Sequence, residues 1–224
     1  MKKLFLLCLA ILPLSALAQI KYCTTPIEFM EDQWVSLDNP IEVDHHSQKR
    51  KWWWGGSEFK FSTGVKKIDK LLKKDGLVVM YDDSLYVNCR RLIFKDYASK
   101  GFGIGYTKAF RFKKSDLLII CPPVSSSDVM SGFSFMFGLI GATAVAAVKS
   151  KDWLENMACY IVRMSSYYDG DHVPVMHLDT EQMEKLLSDD PSLLDEYKSV
   201  EKKSVREGAA NTLDILFRKG WIKK

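Results

Sequence analysis

Histidines, cysteines and clustered acids are the side chains here best suited to chemistry, but their spacing does not assemble a reactive set. Asp44-His45-His46 and Asp169, Asp171, His172 and His177 have the chemistry of metal ligands. In a strand, residues 172 and 177 point to opposite faces, so they are poor partners for one ion. Asp169 and Asp171 lack the rest of a calcium-loop series, and their segment reads better as a polar hairpin loop. Cys89 with one of the four histidines would form a nucleophile–base pair only if the fold joined them. No local motif does so. The chain contains no G-x-S-x-G elbow, H-E-x-x-H helix or P-loop. A hydrolase with two carboxylates needs no such signature, because its acids can be distant in sequence, yet no pair stands out. Gly101-Phe102-Gly103-Ile104-Gly105-Tyr106 lacks the helix and acidic residue that follow in a dinucleotide fold. It reads as a glycine-rich strand or bulge. The expectation is no catalytic residue, no cofactor and no metal.

Aromatic and basic residues point to binding instead. Trp52-Trp53-Trp54 follows Lys49-Arg50-Lys51. Indole faces beside cations stack on a glycan or rest at a membrane interface. Alternation sets Trp53 opposite Trp52 and Trp54, so one face is expected to be core. These three tryptophans are the candidate ligand platform. Residues 64–75 read as a short helix with Val65, Ile68, Leu71 and Leu72 on one face. Lys66, Lys67, Lys70, Lys73 and Lys74 surround that face and read as solvated. Ser62 or Thr63 is expected to cap its start, and Gly76 to end it in the left-handed conformation.

These residues have to be delivered and positioned. Lys2 and Lys3, the apolar run from Leu4 to Leu12, the break at Pro13 and the small-residue exit Ala16-Leu17-Ala18 form a secretory signal peptide. Cleavage after Ala18 makes Gln19 the first mature residue. Neither Cys8 nor Cys23 sits in a lipobox, so lipid anchoring is not expected. The mature protein is placed in the periplasm or cell envelope. Removing 18 residues from 224 leaves 206, enough for one large domain or two small ones. The signal carries two lysines and no acid, so the net charge falls from +4 to +2. That balance argues against a nucleic-acid partner. Cys23, Cys89, Cys121 and Cys159 remain, without a C-x-x-C pair. Export permits disulfides, and four cysteines allow three pairings. The alternative is that some are small buried apolar residues.

The positioning elements read as follows. Residues 19–50 look irregular, with Ile27-Glu28-Phe29 and Trp34-Val35 as anchors to a core. Residues 51–124 form a sheet-rich unit with the one short helix. In it, Leu77 to Tyr81 and Leu85 to Cys89 flank a turn at Asp82-Asp83-Ser84. Gly101 to Tyr106, Phe110 to Phe112 and Leu117 to Cys121 continue the strand pattern. Residues 155–224 form a hairpin followed by helices. Asp179 and Gln182 fit a cap and its third helical position, Asp190-Pro191 restarts a helix, and Gly220 ends the last one.

Between these units, Val129 to Val148 carries no charge and as a helix would be about 30 Å long. Ser134, Gly138, Ala142 and Ala146 recur every four residues with Gly141 beside them, a small-xxx-small ridge that lets another helix approach closely. The segment is read either as a membrane element or as a helix buried against protein. A full span would place residues 149–224 across the bilayer and separate Cys159 from any disulfide partner.

Asp83-Ser84-Leu85-Tyr86-Val87-Asn88-Cys89-Arg90, Gly101 to Tyr106, the small-residue segment and Leu178-Asp179-Thr180 to Leu187 together resemble exported proteins of Bacteroides-type bacteria. Those proteins carry a domain of unknown function. The resemblance spans roughly residues 25–200 and implies an envelope protein without assigned chemistry. The expected fold is α+β: a sheet-rich N-terminal unit, a Gly/Ala-rich hydrophobic helix, and a C-terminal hairpin with helices. The leading functional reading is a non-enzymatic envelope component acting by association through residues 129–148, with a second copy or another envelope protein as partner and membrane contact as a further option. The alternatives are a module binding a surface glycan or peptide on the Trp52–Trp54 cluster, and a hydrolase without a recognised motif.

Overall fold

Side chains alternate in the strands with a period of two, and both faces of that alternation are buried. In β9 (Leu117–Ile120), Leu118 and Ile120 enter one core and Ile119 another. In β10 (Tyr160–Arg163), Tyr160 and Val162 oppose Ile161 in the same way. In β5 (Val78–Tyr81) and β6 (Ser84–Asn88), Val78 and Val87 oppose Val79 and Tyr86. Apolar residues on both faces require a layer on each side of the sheet.

The computed structural model describes residues 20–45, 59–94, 103–113, 115–121, 158–166 and 172–223. Residues 1–18, read from the sequence as a signal peptide, together with Trp52–Trp54 and Val129–Val148, lie outside them. Among the described residues, eleven strands join one sheet. The other strands are β1 (Ile20–Cys23), β2 (Val35–Leu37), β3 (Glu42–His45), β4 (Phe59–Ser62), β7 (Leu92–Phe94), β8 (Tyr106–Arg111) and β11 (Val173–His177). The helices are α1 (Pro26–Met30), α2 (Lys66–Lys74), α3 (Thr180–Leu186), α4 (Pro191–Ser199), α5 (Lys203–Arg206) and α6 (Ala209–Arg218). The fold is α+β and strand-rich.

The strands lie in the order β2-β1-β5-β6-β8-β9-β10-β11-β7, with β4 beside β8 and β3 beside β4. All described pairs are antiparallel except β7 with β11. This order forces the sheet to curl. Only the turn Cys89–Arg91 separates β6 from β7, a link that reaches about 14 Å at most. Laid flat, the five strand spacings from β6 to β7 would cover about 24 Å. The sheet therefore bends back on itself. Its inside holds a core of Cys23, Phe29, Leu77, Val87, Leu92, Leu118, Ile120, Val162 and Val175.

Two layers cover the outside. The C-terminal helices bring Met183, Leu187, Tyr197, Ile215 and Leu216 onto Ile119 and Ile161. Helix α2 and the β3–β4 ribbon bring Leu72 and Phe61 onto Ile20, Val79, Tyr86 and Tyr106.

Two parts differ from the sequence expectation. The segment read as irregular supplies β1, α1, β2 and β3. A capping box fixes α1, with the Thr25 side chain accepting from the Glu28 amide, the Glu28 carboxylate reaching back, and Pro26 in the first turn. The hairpin expected at the start of residues 155–224 does form, but β10 also pairs with β9 and β11 with β7, so it belongs to the main sheet. The signals of the C-terminal helices hold as read. Asp179 accepts from the Gln182 amide, and Asp190 accepts from the Leu193 amide ahead of Pro191. At the end of α6, Gly220 has φ +70°. There the Gly220 amide donates to Phe217 O and the Trp221 amide to Leu216 O, a Schellman closure.

Candidate functional site

Among the described residues, a concave surface lies where α2, β4 and the entry to β8 meet. It encloses about 550 Å³ and is lined by Lys60, Lys70, Lys73, Lys74 and Arg90 together with Phe61, Ile104 and Tyr106. Lys70, Lys73 and Lys74 come from one side of α2, since positions three and four apart share a helix face. Lys60 alternates outward from β4 while Phe61 turns inward. Arg90 projects from the short turn after β6. All five cations are exposed.

Among the described lining residues Asp69 is the one carboxylate, and it is already engaged. It accepts from the Thr63 amide at 2.6 Å, the Thr63 hydroxyl at 2.8 Å and the Ser62 hydroxyl at 3.3 Å. These bonds, led by the Thr63 amide, hold its carboxyl below the usual range. The expected cap from Ser62 or Thr63 is thus replaced. Val65 occupies the cap position without a side-chain bond, and Asp69 reaches back from inside the helix to hold the turn.

The end of α2 is held as firmly as its start. Asn88, fully buried, donates its amide to Gly76 O at 2.8 Å and to Leu72 O and Lys73 O at 3.3 Å. The Tyr106 hydroxyl donates to Leu72 O at 2.6 Å, and Arg91 to Asp75 O at 2.6 Å. Burial raises the Tyr106 phenol well above its ordinary value, so it stays a donor. The Leu71, Leu72, Lys73, Asp75 and Gly76 carbonyls around this helix end are therefore satisfied by protein. Gly76 is not in the left-handed conformation expected of it, because Asp75 closes the helix in a right-handed one. Glycine is needed at 76 for space: a Cβ would meet the Tyr106 oxygen at 2.6 Å and Leu72 O at 2.9 Å.

Charge pairing separates this cleft from the C-terminal helices. There Lys185 meets Glu181, Lys198 meets Glu184, Arg218 meets Glu196 and Asp214, and Lys219 meets Asp189 and Asp190. Among the described residues, no carboxylate lies within ion-pair distance of Lys60, Lys70, Lys73, Lys74 or Arg90. A second polar cluster has a structural task. Glu207 is buried and accepts from the amide and hydroxyl of Thr180, which joins the α5–α6 junction to the start of α3.

A family model described as a family of unknown function, DUF6563, matches residues 21–219. The chain belongs to that family. The match opens in β1 and closes just after α6, so the cleft and both outer layers fall within the DUF6563 domain. No curated protein and no solved structure matches the chain.

The residues singled out in the sequence divide sharply. The platform Trp52, Trp53 and Trp54 and the packing ridge Ser134, Gly138, Gly141, Ala142 and Ala146 lie outside the described residues. Cys89 is fully buried and its thiol is pushed up to about 12 by burial, which leaves it unsuited to act as a nucleophile. His45 meets Phe59 edge-on, His172 is exposed, and His177 sits at the end of β11. Among the described residues, no three His, Cys, Asp or Glu groups converge as metal ligands. The Gly101–Tyr106 stretch is not a strand in its described part: Gly103 and Gly105 have φ of 102° and 85°, and the strand begins at Tyr106. Sequence reasoning saw the lysines of α2 but read them as solvated. It missed Lys60 and Arg90, which reach the same cleft from other elements.

Proposed function

We propose that this DUF6563 protein is an exported, non-enzymatic binding module of the cell envelope whose basic cleft takes an acidic glycan. The supporting observation is the set of five exposed cations around one concavity, without ion-pair partners among the described residues. Exposed like charges repel one another, and an anionic ligand relieves that repulsion. The cleft volume falls in the range of small-molecule sites. Exposed Ile104 in the lining supplies an apolar contact against which a sugar face can pack while its carboxylate or sulfate meets the cations. Trp52–Trp54 stands in the connection between the paired strands β3 and β4, and Lys60 of that ribbon lines the cleft.

Calorimetric titration of the mature chain with oligogalacturonate tests this reading. Binding is expected to weaken with salt, because exposed charges are screened over about 10 Å at 0.1 M. It should disappear in Lys70→Glu/Lys73→Glu, with a neutral oligosaccharide of equal length as control. Equal binding by the variant and the wild type would sink the proposal.

Association through residues 129–148 is a second reading, favoured by one relationship in the sheet. β9 and β10 pair directly although residues 122–157 lie between them. A single bilayer crossing by that stretch would put the two strands on opposite sides of the membrane. Their pairing favours a stretch that leaves and returns on one side, as an association element does. Among the described residues no helix is long and apolar enough to cross a membrane. Gly138→Leu should then reduce the oligomer seen by light scattering and crosslinking, because bulk prevents close helix approach.

A further inference from the structure

Cys121 and Cys159 follow and precede the paired strands β9 and β10. The register that sets Ile120 opposite Tyr160 sets these two cysteines opposite each other. Their sulfurs are 2.7 Å apart, and both side chains turn to the face covered by the C-terminal helices. Directly opposed residues in an antiparallel pair have Cα atoms about 4.5 or 5.5 Å apart, within the range of about 4.4–6.8 Å that a disulfide spans. The bond therefore closes without moving either strand.

The other two mature cysteines are placed differently. Cys23 lies on β1 and Cys89 beside β6, with β5 between them. Two strand spacings are about 9.6 Å, beyond the reach of about 7 Å for a bridge. Both are fully buried.

We infer that Cys121 and Cys159 are joined by a disulfide in the exported protein, forming a cross-strand staple at the root of residues 122–157. The chemistry is thiol–disulfide exchange with an oxidant of the protein-disulfide class. Cys121 is partly exposed and Cys159 fully buried, so Cys121 meets the oxidant first. Its thiolate attacks one oxidant sulfur, the oxidant S–S bond breaks, and one thiolate leaves. Cys159 then gives up its proton and attacks the Cys121 sulfur of the mixed disulfide, expelling the second thiolate. Two thiols lose two electrons, the oxidant disulfide gains them, and the two protons end on its thiols. The staple fixes both ends of 122–157 to one point of the sheet. The inference draws on the export reading only for its oxidant.

The test uses the full chain purified from its native host, alkylated under denaturing conditions without reductant, digested, and analysed by mass spectrometry. The expected result is alkylation at Cys23 and Cys89 alone and a linked peptide pair joining Cys121 to Cys159, which separates on reduction. Four alkylated cysteines in a chain beginning at Gln19, or a link between any other two, would overturn the inference and leave export standing. A chain beginning at Met1 would overturn export instead. The reduced protein is then treated with glutathione disulfide: closure of Cys121 to Cys159 supports the pair, and mixed disulfides without closure overturn it.

Discussion

Gly76 and Tyr106 are in such close approach that a Cβ on Gly76 would sit 2.6 Å from the phenol oxygen. That oxygen is itself committed, donating to Leu72 O at the end of α2. Gly76→Ala is therefore expected to destabilise the protein by about 1–3 kcal/mol, the usual cost of overpacking, as measured by urea unfolding. Tyr106→Phe removes the oxygen, so in that background Gly76→Ala should cost less. Strict additivity across the double-mutant cycle would show that the two residues do not constrain each other.

Asn88 carries a separate load from inside the sheet. Its amide serves three carbonyls around the end of α2. Asn88→Asp replaces the donor with a group that repels those carbonyls. Stability is expected to fall by about 1–3 kcal/mol, and hydrogen exchange should quicken in residues 66–76 before it does elsewhere. Unchanged exchange there would remove Asn88 as the anchor of the cleft wall.

The cleft cations should affect binding far more than folding. Lys73 lies in the last turn of α2 and interacts favourably with the helix pole, so Lys73→Gln is expected to cost only about 0.3–1 kcal/mol in stability. Its affinity for oligogalacturonate should drop, with a shallower salt dependence than the wild type. Trp53→Ala should weaken the same ligand without unfolding the protein. Loss of folding on removal of Trp53, read by circular dichroism, would mark that indole as core.

His177 should make stability depend on pH. Burial is the largest influence and lowers its pKa from 6.5, against the opposing charges of Glu207 and Asp179 and with the help of Lys203. The unfolded chain then binds a proton more readily than the folded one. Stability is expected to be full above about pH 6.5 and to fall as the pH drops toward the lowered folded value. Urea midpoints at pH 7.5 and 5.5 measure this, and His177→Gln should shrink the difference. A midpoint that rises on acidification would reverse the assignment.

Much of the local structure was legible along the chain. The Asp82-Asp83 turn has positive φ at both residues, as a tight hairpin requires. Asp179, Asp190-Pro191 and Gly220 start and stop helices where their types indicate. The cleft was only half legible. The lysine face of α2 follows from its periodicity, but a charged face looks the same whether it meets water or a ligand.

These successes share one cause. Caps, turns and alternation depend on sterics and hydrogen bonds within a few residues, so the sequence by itself determined them. Tertiary structure decided what depends on distant residues. β7 closes against β11, Lys60 and Arg90 converge on the lysines of α2, and Cys121 faces Cys159 across strands separated by residues 122–157. Pairing between remote strands is chosen by the burial of two faces at once. That selection acts on the whole packed sheet and leaves no local pattern at any one of these residues.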